Sequence, residues 1–443
     1  MPPPSPPRAP ARRAGPLALS LAALLAGCAS YRPLPLPGQA SLAPSVAALR
    51  RPAGLTLPPR LTVQDIAALA VANNPGLAAA RARLPLSQAR QLQALILPNP
   101  TVAAGLSPVI AGPGSTTGWS LGLSQDLQSL LTRPARVAAA AAATRSVAAS
   151  LLWQEWLVIG QARLLAVDLI EGTRERHLLD QARALLAHRY AATSQAVAQG
   201  NASLAAISPD LAALTAADRR AATLARLQQQ RRHQLAALLG LAPDAPLRLA
   251  ARPALPPLPP PGPLPPHRPD LLALRYGYRA ADATLRAAIL AQFPRLTIGL
   301  TGGSDTSNVR SFGPQITLDL PIFDRNQGQI AIARATRRQL RAEYTARLQI
   351  AAGEIQALRA ETALLTRQLH RAETQLARAS RIATAATRAF RTGNLTERAY
   401  VDFVTARIAA AQEVLALRQS LLEQRVALAT LTGAGMPALQ VRT

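Results

Sequence analysis

The stretch "SFGPQITLDLPIFDRNQGQIAIARA", Ser311 to Ala335, changes its period halfway along. Ile316, Leu318 and Leu320 alternate with Thr317 and Asp319, which is a strand pattern. "QIAIARA" then opens a helical tract, and Pro321, Asp324, Asn326 and Gly328 punctuate the junction. A strand therefore turns within a few residues into a helix. No proline follows until Pro437, and an interior proline costs a helix about 3 kcal/mol. The helix that begins near Gly328 is expected to run to Arg391, about 100 Å at 1.5 Å per residue.

Its burial is written in a seam: Ala351, Ile355, Leu358, Thr362, Leu365, Leu369, Ala372, Leu376, Ala379, Ala383, Ala386 and Phe390. The steps alternate four and three, as in a coiled coil, and the alanines allow close helix approach. At "FRTGNLTERAY", Gly393 suits a helix C′ position and Asn394 or Thr396 can cap a returning helix. The tract is thus a long helical hairpin.

The chain contains this plan twice. At an offset of 194, "NNPGLAAARARL" (Asn73) lies over "HRPDLLALRYGY" (His267), and "NPTVAAGL" (Asn99) over "FPRLTIGL" (Phe293). The opening stretch matches "LGLSQDLQSLLTRPARVAAA" from Leu121 at an offset of 195, and "QGNAS" (Gln199) matches "TGNLT" (Thr392) at 193. In the first half Ser208, Pro209 and Asp210 are expected as N-cap, N1 and N2 of the returning helix.

The resulting organisation is a leader (1–27), an extended N-terminal segment (28–60), a first repeat (61–250), a proline-rich linker (251–269), a second repeat (270–436) and a tail (437–443). Each repeat holds a helix, a β-hairpin (about 100–127 and 295–321) and a long helical hairpin (about 133–240 and 325–432). The strands have the length and apolar–polar alternation of tilted membrane strands. Four strands cannot close a barrel, and open edges are not tolerated in lipid. A homotrimer would supply twelve strands, enough for a water-filled lumen. The fold class is mainly α with a β-barrel portion shared between subunits, atop a helical barrel.

The N-terminus carries a second message. Arg8, Arg12 and Arg13 precede an apolar run, Gly15 to Gly27, which ends in "LAGC" at Cys28. This resembles the lipobox of bacterial lipoproteins and implies cleavage and covalent lipidation at Cys28. Ala29 rather than aspartate implies sorting to the outer membrane. Loss of three leader arginines lowers the formal charge from +26 to +23. Cys28 is the only cysteine, which excludes an internal disulfide.

Composition excludes other classes. The arginines are spread along the chain without a basic block or interleaved aromatics, which argues against nucleic-acid binding. The five histidines, His177, His188, His233, His267 and His370, lack ligand spacing, and the only methionines are Met1 and Met436, so no metal site or cofactor is expected. No phosphate-binding loop, nucleophile elbow or catalytic cluster is present, and an enzyme is not expected. The polar residues of "DRNQG" are explained by turn chemistry.

Together the duplicated plan, the "LPNPTVAAG" leading into the first strand and "LPIFDRNQGQIAIARA" leaving the last resemble the TolC family of outer-membrane efflux proteins. The closing motif is particularly like components of cobalt–zinc–cadmium-type exporters. The resemblance spans "LTVQDIAALAVANNP" at Leu61 to "ATLTGAG" at Ala429. It implies a trimeric outer-membrane channel with a large periplasmic portion, in contact with outer-membrane lipid. It also implies a periplasmic adaptor and an inner-membrane pump of the RND type, with divalent heavy-metal cations as one cargo. By the same resemblance Gly200, Asn201, Gly393 and Asn394 are adaptor-docking tips. Asp402, nine residues beyond Gly393, falls where the family places a gating aspartate at the periplasmic constriction. The first half shows no matching aspartate there, since Ala206 and Pro209 hold the nearest positions. The rival reading is a scaffolding coiled-coil lipoprotein without channel activity.

Overall fold

The computed structural model describes residues 31–52, 54, 56–258 and 268–434. Cys28 and its leader lie outside these residues, as do residues 259–267 of the proline-rich linker. The chain divides into two units, Met1–Leu42 and Ala43–Thr443. In the first, residues 31–42 are exposed and carry no regular structure.

The second unit holds the helices α1 (Val63–Asn73), α2 (Pro75–Arg81), α3 (Arg83–Leu95), α4 (Gln128–Ala198), α5 (Ile207–Leu239), α6 (Pro269–Leu290), α7 (Gln327–Arg391) and α8 (Glu397–Thr432). Its strands are β1 (Thr101–Ser107), β2 (Gly118–Asp126), β3 (Arg295–Ser304) and β4 (Arg310–Asp319). They form one antiparallel sheet in the order β1-β2-β3-β4. Thr101 faces Ser124, Leu123 faces Leu300, and Leu296 faces Leu318. Apolar residues therefore share one face and Ser, Thr and Gly the other. β1 and β4 are both open edges within the chain. Leu320 lies just beyond β4, not in it.

The helices form layers of four. Towards the sheet, α3 packs on α4, α4 on α6 and α6 on α7. At the other end, α5 packs on α4, α4 on α8 and α8 on α7. α4 and α7 are common to both layers, with 71 and 65 residues respectively, each on the order of 100 Å long. Every seam position of α7 from Ala351 to Ala386 is at least half-buried, and only Phe390, at the tip, is exposed. The main core surrounds the middle of α4, where Val63, Ile66, Val167, Leu235 and Leu239 are fully buried. Parallel bridges Ala43–Leu241 and Leu61–Leu249 pin the incoming chain beside this core.

The structure corrects several expectations. α4 begins at Gln128, not near 133: it follows directly on β2 behind N-cap Leu127, and the Asp126 carboxylate accepts from the Gln128 amide at 2.9 Å. Pro134 sits in the second turn of that helix, where it removes one backbone donor. α5 begins at Ile207 behind a 3₁₀ turn, Leu204–Ala206, so Ser208 and Pro209 lie inside the helix and Ser208 caps nothing. The helix of the first repeat is divided into α1, α2 and α3, whereas the second repeat has the single α6. Asn74 makes the first break by capping α2 through the Leu77 amide at 2.9 Å.

At the strand–helix junction Asn326 is left-handed, with φ of 60°, and its amide donates to the Asp324 carboxylate at 2.8 Å. Its side chain donates to the Ala288 carbonyl of α6 at 2.8 Å, and the Gln327 side chain accepts from the Arg325 amide at 2.7 Å. The polar residues of this joint are thus engaged in shaping the turn.

Candidate functional site at the helical tips

Both helical hairpins turn in the same way. Gly200 and Gly393 each have φ of 74°, in the left-handed region. The Gly200 amide donates to Val197 at 3.0 Å and the Asn201 amide to Ala196 at 2.8 Å. The Gly393 amide donates to Phe390 at 3.1 Å and the Asn394 amide to Ala389 at 2.8 Å. Each pair of bonds is a Schellman motif, with glycine at C′. The returning helices start differently. Thr396 caps α8 through the Ala399 amide at 3.4 Å, whereas α5 has no side-chain cap.

The two turns lie at one end of the second unit. Arg398, in the first turn of α8, reaches the Ala206 carbonyl at 3.4 Å and the Asp210 carboxylate at 3.2 Å. His188 of α4 meets Glu397 at 2.6 Å, and the Phe390 ring stacks on Tyr400 at 4.7 Å.

Asp402 is not a free carboxylate. Its Oδ1 accepts from Nη1 of Arg189 at 2.6 Å. The same guanidinium lies 3.0 Å from Asp210, whose side chain is fully buried. That contact is off the N–H axis, so it is electrostatic rather than a directed hydrogen bond. Asp210 also accepts from the Thr193 hydroxyl at 2.7 Å. Arg189, 10% exposed, is therefore shared between a buried carboxylate on α5 and a half-open one on α8, 61% exposed. The network joins α4, α5 and α8 just behind the tips.

Sequence comparison of the halves missed Asp210 as the counterpart of Asp402. Nine residues separate Gly393 from Asp402, but ten separate Gly200 from Asp210. The 3₁₀ turn before α5 shifts the register by one and still brings both carboxylates to one guanidinium.

Two further buried charge clusters brace the helices. Asp168 of α4 faces Arg231 of α5 at 3.2 Å and Gln419 of α8 at 3.1 Å, with Glu423 beside them. Burial pushes its carboxyl up to about 6, with Arg231 opposing and Glu423 adding to the rise. At the N-terminus of α6 the fully buried Arg268 holds Asp270 through two bonds, at 2.8 and 2.7 Å. Arg347 of α7 meets the same carboxylate at 2.7 Å, and both guanidinium groups lie over the Trp153 ring of α4. Burial acts to raise the Asp270 carboxyl, but hydrogen bonds and charge from Arg268 and Arg347 outweigh it and hold it below the ordinary range. Among the described residues no group of His, Cys, Asp and Glu could hold a metal ion, and no helix is long and apolar enough to cross a membrane.

Known proteins resemble this chain in two ways. Residues 266–434 match the family model described as Outer membrane efflux protein. A stretch of 100 residues is 38% identical to outer membrane protein OprJ of Pseudomonas aeruginosa, covering 20% of this chain and 20% of that protein. By structure, the chain is similar to CusC (TM-score 0.66, 19% identity, 87% of this chain and 98% of that one). It is also similar to the outer membrane protein VceC of Vibrio cholerae (0.66, 20%, 85% and 97%) and to the outer-membrane channel OprN (0.68, 17%, 92% and 99%).

Proposed function

We infer that this chain, whose residues 266–434 match the outer membrane efflux protein family and whose fold is similar to that of solved outer-membrane channels, is one subunit of a passive efflux duct. Three copies close a barrel across the outer membrane and continue as a helical tube towards an adaptor and an inner-membrane pump. The observation that carries the reading is the four-stranded sheet with two open edges and one apolar face, joined without interruption to helices on the order of 100 Å long. A scaffolding lipoprotein has no use for an amphipathic sheet that is incomplete in one chain. Purified protein in detergent is expected to run as a heat-modifiable trimer and to conduct ions in planar bilayers. A stable monomer without conductance would sink the duct reading.

The tips at Gly200–Asn201 and Gly393–Asn394 are the proposed adaptor-docking elements, since matched Schellman turns present two similar surfaces at one end. Asp402 is the proposed gate residue, closed through Arg189. Asp402→Ala should raise single-channel conductance, and an unchanged conductance would remove Asp402 from the gate. Lipidation at Cys28 would anchor the assembly; labelling with a radioactive fatty acid, lost in Cys28→Ser, checks it. An RND-type pump and divalent heavy-metal cargo are the finer readings, supported by the "LPIFDRNQGQIAIARA" motif, and metal susceptibility of a deletion strain tests the second.

A further inference from the structure

We propose that the duct is anion-selective. The inference rests on the duct reading above. Its basis is a charge imbalance that the fold leaves unneutralised. All 49 basic side chains of the sequence are arginine, so the positive charge does not titrate in any accessible range. α7 carries twelve arginines against four glutamates. Only Arg337 and Arg347 of these arginines have a carboxylate partner among the described residues.

Five of the others, Arg367, Arg371, Arg378, Arg381 and Arg388, repeat at heptad spacing two residues on from the buried seam. All five are exposed. They form one cationic stripe on the lower half of the helix. A neighbouring copy would not neutralise it through α5, the opposite edge of the helical layer. α5 has five arginines and two aspartates, and both aspartates are engaged within the chain: Asp210 with Arg189 and Arg398, Asp218 with Arg183.

The polar face of the sheet presents Ser120, Ser124, Thr297, Thr301, Gln315 and Thr317; its Asp126 accepts from the Gln128 amide, and its Arg295 stands opposite Asp319 in register. Asp402, the one carboxylate proposed at the constriction, is neutralised by Arg189. A groove of about 850 Å³ between α4 and α8 is lined by five arginines, of which Arg174 and Arg418 are paired with Glu171 and Glu373 and Arg60, Arg232 and Arg252 have no carboxylate partner among the described residues. The wall is one helix thick, about 10 Å, close to a Debye length of about 8 Å at physiological salt. A stripe on the lumen side acts on the pore directly, and one on the outer side acts through the wall with reduced strength. A metal cation would enter against this field or as an anionic complex.

The test is a reversal potential in a planar bilayer holding the full-length purified protein across a tenfold KCl gradient. The expected result is a chloride-to-potassium permeability ratio of about three or more at low salt, falling as salt screens the wall. The variant R367Q/R371Q/R378Q/R381Q/R388Q should conduct and should lose about half of that preference. A wild-type ratio at or below unity overturns the inference while leaving the duct standing. An unchanged ratio in the variant overturns the assignment to the stripe. Absence of any conductance overturns the duct, and the inference with it.

Discussion

At the scale of single residues, Arg189 decides more than Asp402. Asp402 is mostly exposed, so its loss should cost little stability, whereas Asp210 is fully buried and depends on Arg189, Arg398 and Thr193. Arg189→Gln leaves that buried carboxylate short of charge and should destabilise the fold by about 3 kcal/mol, read as a lower thermal midpoint. The same variant should raise conductance as Asp402→Ala does. Asp168 supplies a pH test. Its carboxyl is raised from 3.8 to about 6 by burial, so the folded chain holds this proton more tightly than the unfolded one. Its contribution to stability is complete below pH 3.8 and is lost as pH rises through about 6. Asp168→Asn should therefore raise the thermal midpoint above pH 7, and the gain should vanish near pH 4; a constant gain at all pH values would count against the assignment.

At the scale of elements, the strands and tips make separate predictions. Leu300 and Thr301 are neighbours on opposite faces of β3, in register with Leu123 and Gly122. Leu300→Arg places a charge on the apolar face and should cost about 2–4 kcal/mol, read as lost trimer on an unheated gel, while Thr301→Arg should assemble. No atom lies within 4 Å of where a Cβ would stand at Gly200 or Gly393, so substitution there meets backbone strain alone. Gly393→Ala should cost about 1 kcal/mol at the tip, and Gly393→Asn less, by thermal melting. These elements were legible in the sequence because their signals are local. The period changes at Pro321, the seam from Ala351 follows a heptad, and Gly393 marks its turn. The start of α4 and the start of α5 were not. The first follows directly on β2, with the Asp126 carboxylate holding the Gln128 amide from outside the expected helix, and a 3₁₀ turn with no strong composition signal shifts the second. The Arg189 network stayed hidden because it joins residues more than 200 positions apart through packing that no periodicity reports.

At the scale of the whole molecule, the duplication works as a construction rule. Two copies of one plan produce two long helices, α4 and α7, that belong to both helical layers, and four shorter partners that belong to one each. Four helices pack side by side both towards the sheet and towards the tips, and the shorter ones are exchanged midway. The buried clusters at Asp168 and Asp270 lie at contacts between a long helix and its partners, so loss of either should loosen one layer and spare the other. Arg347→Ala should increase amide exchange in α6 and the upper part of α7 while α5 and α8 stay protected, which hydrogen exchange with peptide resolution can read.

The open edges of β1 and β4 also carry a genetic consequence. In the proposed trimer each chain would lend a neighbour the bonds that neighbour cannot make for itself, so a damaged copy would spoil more than its own share. If cells expressed equal amounts of intact chain and of Leu300→Arg chain that still mixes, roughly one trimer in eight would be wholly intact. A defective allele of this gene should therefore be dominant over the normal one.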